Sequence, residues 1–239
     1  MVFWILLGVV AAVVLLTVLV NGILALLQLR YVAGIAPVQY QNQLQPQPLD
    51  GRWVFTTDGD FRVMQLTDVH IGGGWMSFFK DRRAIDCVVR MVTAEQPDLV
   101  AVTGDIAYPV PFQSGTFNNK TAARLFGRVM QNLGVYWAPV LGNHDTESYA
   151  VYNRRYIGKY YQKQKFAKAG SKSYCLFCSG PEGVDGVGNY TVAVKNSRGA
   201  VTQALFFTDT AAMWTVTIWA LCGSMTVCTR TKWTGTGVR

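Results

Sequence analysis

Histidine is nearly absent from this chain: His70 and His144 are the only two, and no acidic residue follows Asp209. Imidazole chemistry is thereby confined to two points, and nothing beyond His144 can add a histidine ligand. Charge is sparse too. Asp, Glu, Lys and Arg make up 15% of the residues, and the formal net charge of +8 is spread thinly apart from a loose cluster between Arg154 and Lys172. A nucleic-acid interface gathers its basic residues on one face, so this balance describes a solvated, weakly basic surface with no nucleic-acid partner.

Five cysteines also lack a framework. Cys175 and Cys178 form one Cys-x-x-Cys without a second pair at zinc-finger spacing or a thioredoxin-type βαβ context, while Cys222 and Cys228 fall in an atypical stretch. Buried thiols or a local disulfide are favoured over a zinc or redox site.

What the chain has in excess is an apolar start. Val2 to Val20 carries no charge and only Thr17 as a polar side chain, and apart from Asn21 and Gln28 the run continues to Leu29. That is enough to span a bilayer as a helix, so residues 1–30 are expected to be a single-pass membrane anchor in contact with lipid. A signal peptide is the alternative, because Gly34-Ile35-Ala36 resembles a cleavage site, although Pro37 follows it. Arg30 favours a cytosolic domain by the positive-inside rule. The sequons Asn119-Lys120-Thr121 and Asn189-Tyr190-Thr191 favour a lumenal or extracellular one, which is the expectation taken here.

Residues 31–50 end in a Gln- and Pro-rich tract expected to be a stalk. The rest has room for one α/β domain. Trp53 to Phe55 and Phe61 to Leu66 read as strands around an Asp58-Gly59 hairpin turn. Asp81 to Glu95 and Thr121 to Leu133 have helical apolar spacing and are closed by Pro97 and Gly134. Leu99 to Thr103 and Val135 to Val140 are short apolar runs suited to buried strands. Ser148 to Phe166 reads as a helix with Tyr149, Tyr152, Tyr156 and Tyr160 along one side, a stripe suited to packing. Ser173 to Cys178, Tyr190 to Val194 and Val201 to Phe207 read as further strands.

Three of the apolar strands end in donors that suit metals: Asp68-Val69-His70, Gly104-Asp105, and Gly142-Asn143-His144-Asp145. Taken singly, an Asp after a strand is a turn or cap and a lone His is a satisfied polar group. Both histidines of the chain falling inside these blocks argues for a site.

The three blocks together resemble those of the calcineurin-like metallophosphoesterases. Gly180-Pro181-Glu182, Asp185-Gly186-Val187-Gly188-Asn189-Tyr190 and the Asp58-Gly59 segment look like the small eukaryotic branch related to purple acid phosphatases. The resemblance covers Trp53 to Thr210 and implies an α/β sandwich of two mixed sheets flanked by helices. It implies two divalent or trivalent metal ions, manganese, iron or zinc, that polarise a phosphorylated substrate and generate a hydroxide nucleophile. By the same resemblance Asp105 bridges the ions, Asp68 and His70 bind the first and Asn143 the second. His144 stands beside the phosphate, Asp145 orients it, and Gly104 and Gly142 let backbone approach the metals.

Tyr108 matches the Gly-Asp-x-x-Tyr of purple acid phosphatases, where the tyrosine binds iron; a packed loop aromatic is the other reading. Three later histidine ligands of the family have no counterpart here, and the likeness stops near Met213. Residues 51–210 are therefore expected to be a partial phosphoesterase domain and 211–239 an atypical, truncated or frame-shifted tail, poorly packed, with activity impaired or lost.

Overall fold

The computed structural model describes residues 1–167 and 170–209. Its elements run α1 (Val2–Ala33), β1 (Gln47–Leu49), β2 (Arg52–Thr56), β3 (Val63–Leu66), α2 (Phe78–Glu95), β4 (Leu99–Thr103) and α3 (Pro111–Ser114). They continue with α4 (Asn119–Leu133), β5 (Trp137–Val140), α5 (Arg154–Gln162), β6 (Tyr190–Lys195) and β7 (Val201–Phe207). Two sheets result, flanked by helices as expected. One is parallel in the order β3-β4-β5; the other is mixed in the order β1-β2-β6-β7, with β2 and β6 parallel and the outer pairs antiparallel.

The parallel sheet forms because its strands are apolar and joined by helical crossovers. Leu99 to Val102 are all buried, as a central parallel strand requires. Helix α2 turns Ile85, Val88 and Val92 inward and stops where Gln96 enters the left-handed region ahead of Pro97. Helix α4 buries Leu125, Phe126, Val129, Met130 and Leu133 and ends at Gly134, whose φ of 69° and N–H bond to Met130 make an αL cap. Between α4 and α5 the fully buried Trp137 gathers an aromatic cluster, with ring centroids 5.3 Å from Phe126, 5.4 Å from Tyr161 and 5.9 Å from Phe166.

Four expectations differ from the structure. The Asp58-Gly59 segment is not a hairpin: β2 and β3 belong to different sheets, and Asp58 accepts a hydrogen bond from the Ser197 amide. The hairpin turn is Asp50-Gly51, between β1 and β2, where both residues have positive φ as a two-residue type I′ turn demands. The helix over 148–166 shortens to α5, because the Asn153 side chain accepts from the Tyr156 amide and caps it there. Tyr152 and Tyr156 stack with centroids 4.3 Å apart under the Lys120 ammonium, so the stripe is packing. Ser173 to Cys178 contributes one bridge, Trp137 with Cys175, and not a strand. Cys175 and Cys178 are free thiols, and burial pushes the Cys175 thiol well above its ordinary value.

The stalk is the largest difference. Val38 is buried and its amide bonds the Leu133 carbonyl; Tyr40 reaches the Pro97 carbonyl at 2.7 Å, Gln43 the Gly134 carbonyl at 2.6 Å, and Tyr136 donates to Gln45 at 2.7 Å. The segment is strapped to the domain by side chains that sequence pattern alone reads as solvated. The expected tail lies outside the described residues.

Candidate metal centre

The loops after β3 and β4 run side by side. Asp68 N–H bonds Gly104 O, His70 N–H bonds Asp105 O, Ile71 N–H bonds Ile106 O, and Tyr108 N–H returns to Ile71 O. Asp68, His70 and Asp105 all hold positive φ, at 54°, 52° and 54°. Three non-glycine residues in that region within one site mark backbone held in place by its surroundings.

The loop after β5 closes against them. Gly142 lies so near Asp105 that a Cβ there would meet Asp105 Oδ1 at 2.1 Å, and one on Gly104 would meet Gly142 Cα at 2.9 Å. These glycines let the two loops approach each other closely.

Around that junction the donors converge. His70 Nε2 is 3.4 Å from Asp68 Oδ1 and 3.9 Å from Asp105 Oδ2. Donor atoms of His70, Asp105 and His144 all lie within 4.8 Å of one another. The His144 amide donates to Asp105 Oδ1 at 2.9 Å. Tyr108 packs on both histidines, stacked on His70 at 4.7 Å and edge-on to His144 at 4.8 Å, while the two imidazoles meet edge to face at 5.5 Å. Asn143 lies exposed at the rim, where it starts the 3-10 turn His144–Thr146.

Asp145, expected to orient His144, makes its bonds to backbone amides. Its carboxylate is buried and accepts three backbone N–H bonds, from Asp105 at 3.0 Å, Ala107 at 2.7 Å and Gly142 at 2.8 Å. It clasps two loops together, and burial pushes its pKa up to about 6 against the pull of those amide bonds. The group beside the His144 imidazole is Glu147, whose Oε1 lies 2.9 Å from Nδ1 without the alignment of a hydrogen bond.

Residues that pattern reading missed hold the outer frame. Arg154 donates to Asp209 through Nε at 2.7 Å and also through Nη2, to the Gly142 carbonyl at 2.9 Å, to Thr146 Oγ1 at 3.2 Å, and to the Leu141 carbonyl. Asp209 also accepts from the Val187 amide at 2.6 Å. Asn119, read as a sequon, is fully buried: Nδ2 donates to the carbonyls of Asp145 and Tyr152, and Oδ1 accepts from the Tyr152 amide. Asn119→Ala strands two carbonyls and an amide, so a loss of about 3 kcal/mol in unfolding free energy is expected, measured by denaturant titration.

A family model for the calcineurin-like phosphoesterases matches residues 61–210, and the chain belongs to that family. Three Arabidopsis thaliana proteins are similar to it. "Probable inactive purple acid phosphatase 28" is 30% identical over 163 residues, which is 62% of this chain and 39% of that protein. The corresponding figures are 27% over 166 residues, 64% and 38%, for "Probable inactive purple acid phosphatase 14", and 23% over 164 residues, 62% and 39%, for "Probable inactive purple acid phosphatase 29". The chain thus spans about two fifths of the length of these relatives. No solved structure matches it significantly.

Proposed function

We propose that this chain is a membrane-anchored, metal-dependent phosphoesterase that hydrolyses phosphate monoesters or diesters at the junction of the three loops. The observation that carries this is the convergence of His70, Asp105 and His144 donor atoms within 4.8 Å, beside Asp68, with Asp68, His70 and Asp105 held in left-handed backbone conformations. Two carboxylates with imidazole suit manganese, iron or zinc. The donor set suits one ion at His70 and Asp105, with Asp68 beside His70 as the further carboxylate that the family resemblance implies. For the second expected ion the described residues offer Asp105 again, His144 and the exposed Asn143, with the Tyr108 ring nearby, which falls short of a closed four-ligand site.

A bound ion supplies Lewis acidity toward the phosphoryl oxygen and an acidified water. The chain does the rest. Asp105 is fixed through its own amide by Asp145, and one of its oxygens is held by the His144 amide. Glu147 faces Nδ1 of His144 and so leaves Nε2 as the edge to protonate a leaving oxygen. In this reading Asp145 positions the loops and Tyr108 orients both imidazoles by packing.

A second reading is an inactive member of the family. It is favoured by the word "inactive" in the names of the relatives. Calorimetric titration of the full chain in detergent with manganese or zinc, run beside aryl phosphate hydrolysis, separates the two. One ion bound per chain, with turnover and affinity both lost in Asp105→Asn, is the expected result. Binding without turnover selects the inactive reading, and no binding rejects the metal centre.

Membrane attachment rests on α1, whose residues 2–16 are exposed and without polar side chains. Retention of this helix over cleavage is supported by the burial of Gln28 and Val32 in the domain. Asn119 is committed to the fold, and the partly exposed Asn189 donates to the Asp185 carbonyl and accepts from the Asp209 amide, so the sequons give a lumenal or extracellular domain little support.

A further inference from the structure

Helix α1 divides at Asn21. Before it the side chains are exposed and apolar; beyond it the helix lies on the domain. Asn21 Oδ1 accepts from the Trp75 amide at 2.8 Å and its Nδ2 donates to the Gly115 carbonyl at 3.0 Å. Gln28 donates to the buried Asp81 at 3.1 Å, Tyr31 bonds Asp86 under the Arg82 guanidinium, and Asn132 donates to the Val32 carbonyl at 2.7 Å. The helix is continuous through this docked part, and residues 31–50 are strapped down as well. No spacer lifts the domain away from the point where the apolar run emerges.

The two loops that Asn21 binds expose large apolar side chains. Trp75 and Met76 lie on one; Phe112, in the short helix α3, and Phe117 flank Gly115 on the other, and Phe112 is 90% exposed. The loops are also locked to each other. The Met76 amide bonds the Ser114 carbonyl at 3.1 Å, and Gly115 packs so closely on the Trp75 ring that a Cβ would meet it at 2.5 Å. Rigid aromatic groups beside an apolar helix, at the level where its polar contacts begin, match the interfacial belt of membrane proteins. A scattered exposed apolar residue needs no explanation; four on two coupled loops at one level do.

We propose that Trp75, Met76, Phe112 and Phe117 form a collar that enters the interface of the bilayer α1 spans, seating the domain on lipid. The proposal rests on α1 being a membrane helix. Since that helix must enter lipid beside these loops, lipid is the partner already present when the domain folds. The contact fixes the height of the domain above the membrane, because the collar and the docked part of α1 are one rigid unit.

The test uses the full chain with 5-fluorotryptophan in bicelles containing a lipid nitroxide-labelled near the headgroup end of its acyl chain, with Trp75→Phe assigning the Trp75 resonance. Expected is loss of the Trp4 and Trp75 fluorine signals, while those of Trp53 and the buried Trp137 stay sharp. Phe112→Glu, at an exposed position, should restore much of the Trp75 signal. Loss of Trp4 alone, with Trp75 broadened by a water-soluble gadolinium chelate, overturns the collar and leaves the anchor standing. A Trp75 signal untouched by both agents means a protein surface covers it, which also overturns the proposal. A sharp Trp4 signal removes the anchor and the collar together.

Discussion

Arg154→Ala is expected to lower the unfolding free energy by about 3–5 kcal/mol, the usual cost of removing one partner of a buried ion pair. The pair is buried on both sides, with the Asp209 side chain fully shielded and Arg154 14% exposed. Without the guanidinium, the Asp209 carboxylate keeps only the Val187 amide among the bonds described above, and the Leu141 and Gly142 carbonyls lose their shared donor. Denaturant unfolding of the full chain in detergent, read by tryptophan fluorescence, measures the loss. Arg154→Lys keeps the charge but cannot span both oxygens of Asp209 and both carbonyls at once, so it should recover less than half of the deficit. A loss below about 1 kcal/mol for the alanine variant, in the range of an exposed pair, would show that this network is not what holds β7 to the loop after β5.

How much of this was legible beforehand depends on where each residue finds its partner. The three donor blocks were legible because Asp, His and Asn at the ends of apolar runs are the wrong residue types for a core. Helices α2 and α4 were legible from apolar spacing with Pro97 and Gly134 as terminators. The hairpin was misplaced because Asp58-Gly59 and Asp50-Gly51 carry the same turn chemistry. What decides between them is that β2 pairs with β6, from Trp53 with Val192 onward, a contact no local pattern announces. Strand β1 is Gln-Pro-Leu, exposed throughout, and offers no alternation to read. The strapped segment fails for the same reason: Tyr40, Gln43 and Gln45 look like a solvated tract until their partners on distant elements are in place. Arg154 and Asp209 stand fifty-five residues apart and neither is unusual alone. Asn119 had a second explanation in its sequon, and only its complete burial separates the two.

Gly142→Ala should abolish metal-dependent stabilisation of the chain even where the protein still folds. The added methyl would sit 2.1 Å from Asp105 Oδ1, 2.4 Å from its amide nitrogen and 2.7 Å from its Cγ, so relief must come from moving the Asp105 carboxyl or the loop that carries it. The loop is a poor source of relief, because Asp145 holds the amides of Asp105 and Gly142 at 3.0 and 2.8 Å and Arg154 holds the Gly142 carbonyl at 2.9 Å. Turning the carboxyl relieves only the contacts to Oδ1 and Cγ, so the Asp105 backbone must shift as well, and with it goes the donor that brings His70 and His144 to one point. Overpacking of this kind costs about 1–3 kcal/mol in the metal-free protein. The larger effect is on the ion. A site that binds a metal a hundredfold below its working concentration gains about 2.7 kcal/mol from it, and displaced ligands forfeit that gain. Thermal unfolding with and without zinc or manganese tests this directly: the upward shift on adding metal should be present in the native chain and missing in Gly142→Ala. An equal shift in both would mean that Asp105 does not hold the ion, and the metal centre would have to be sought among other residues.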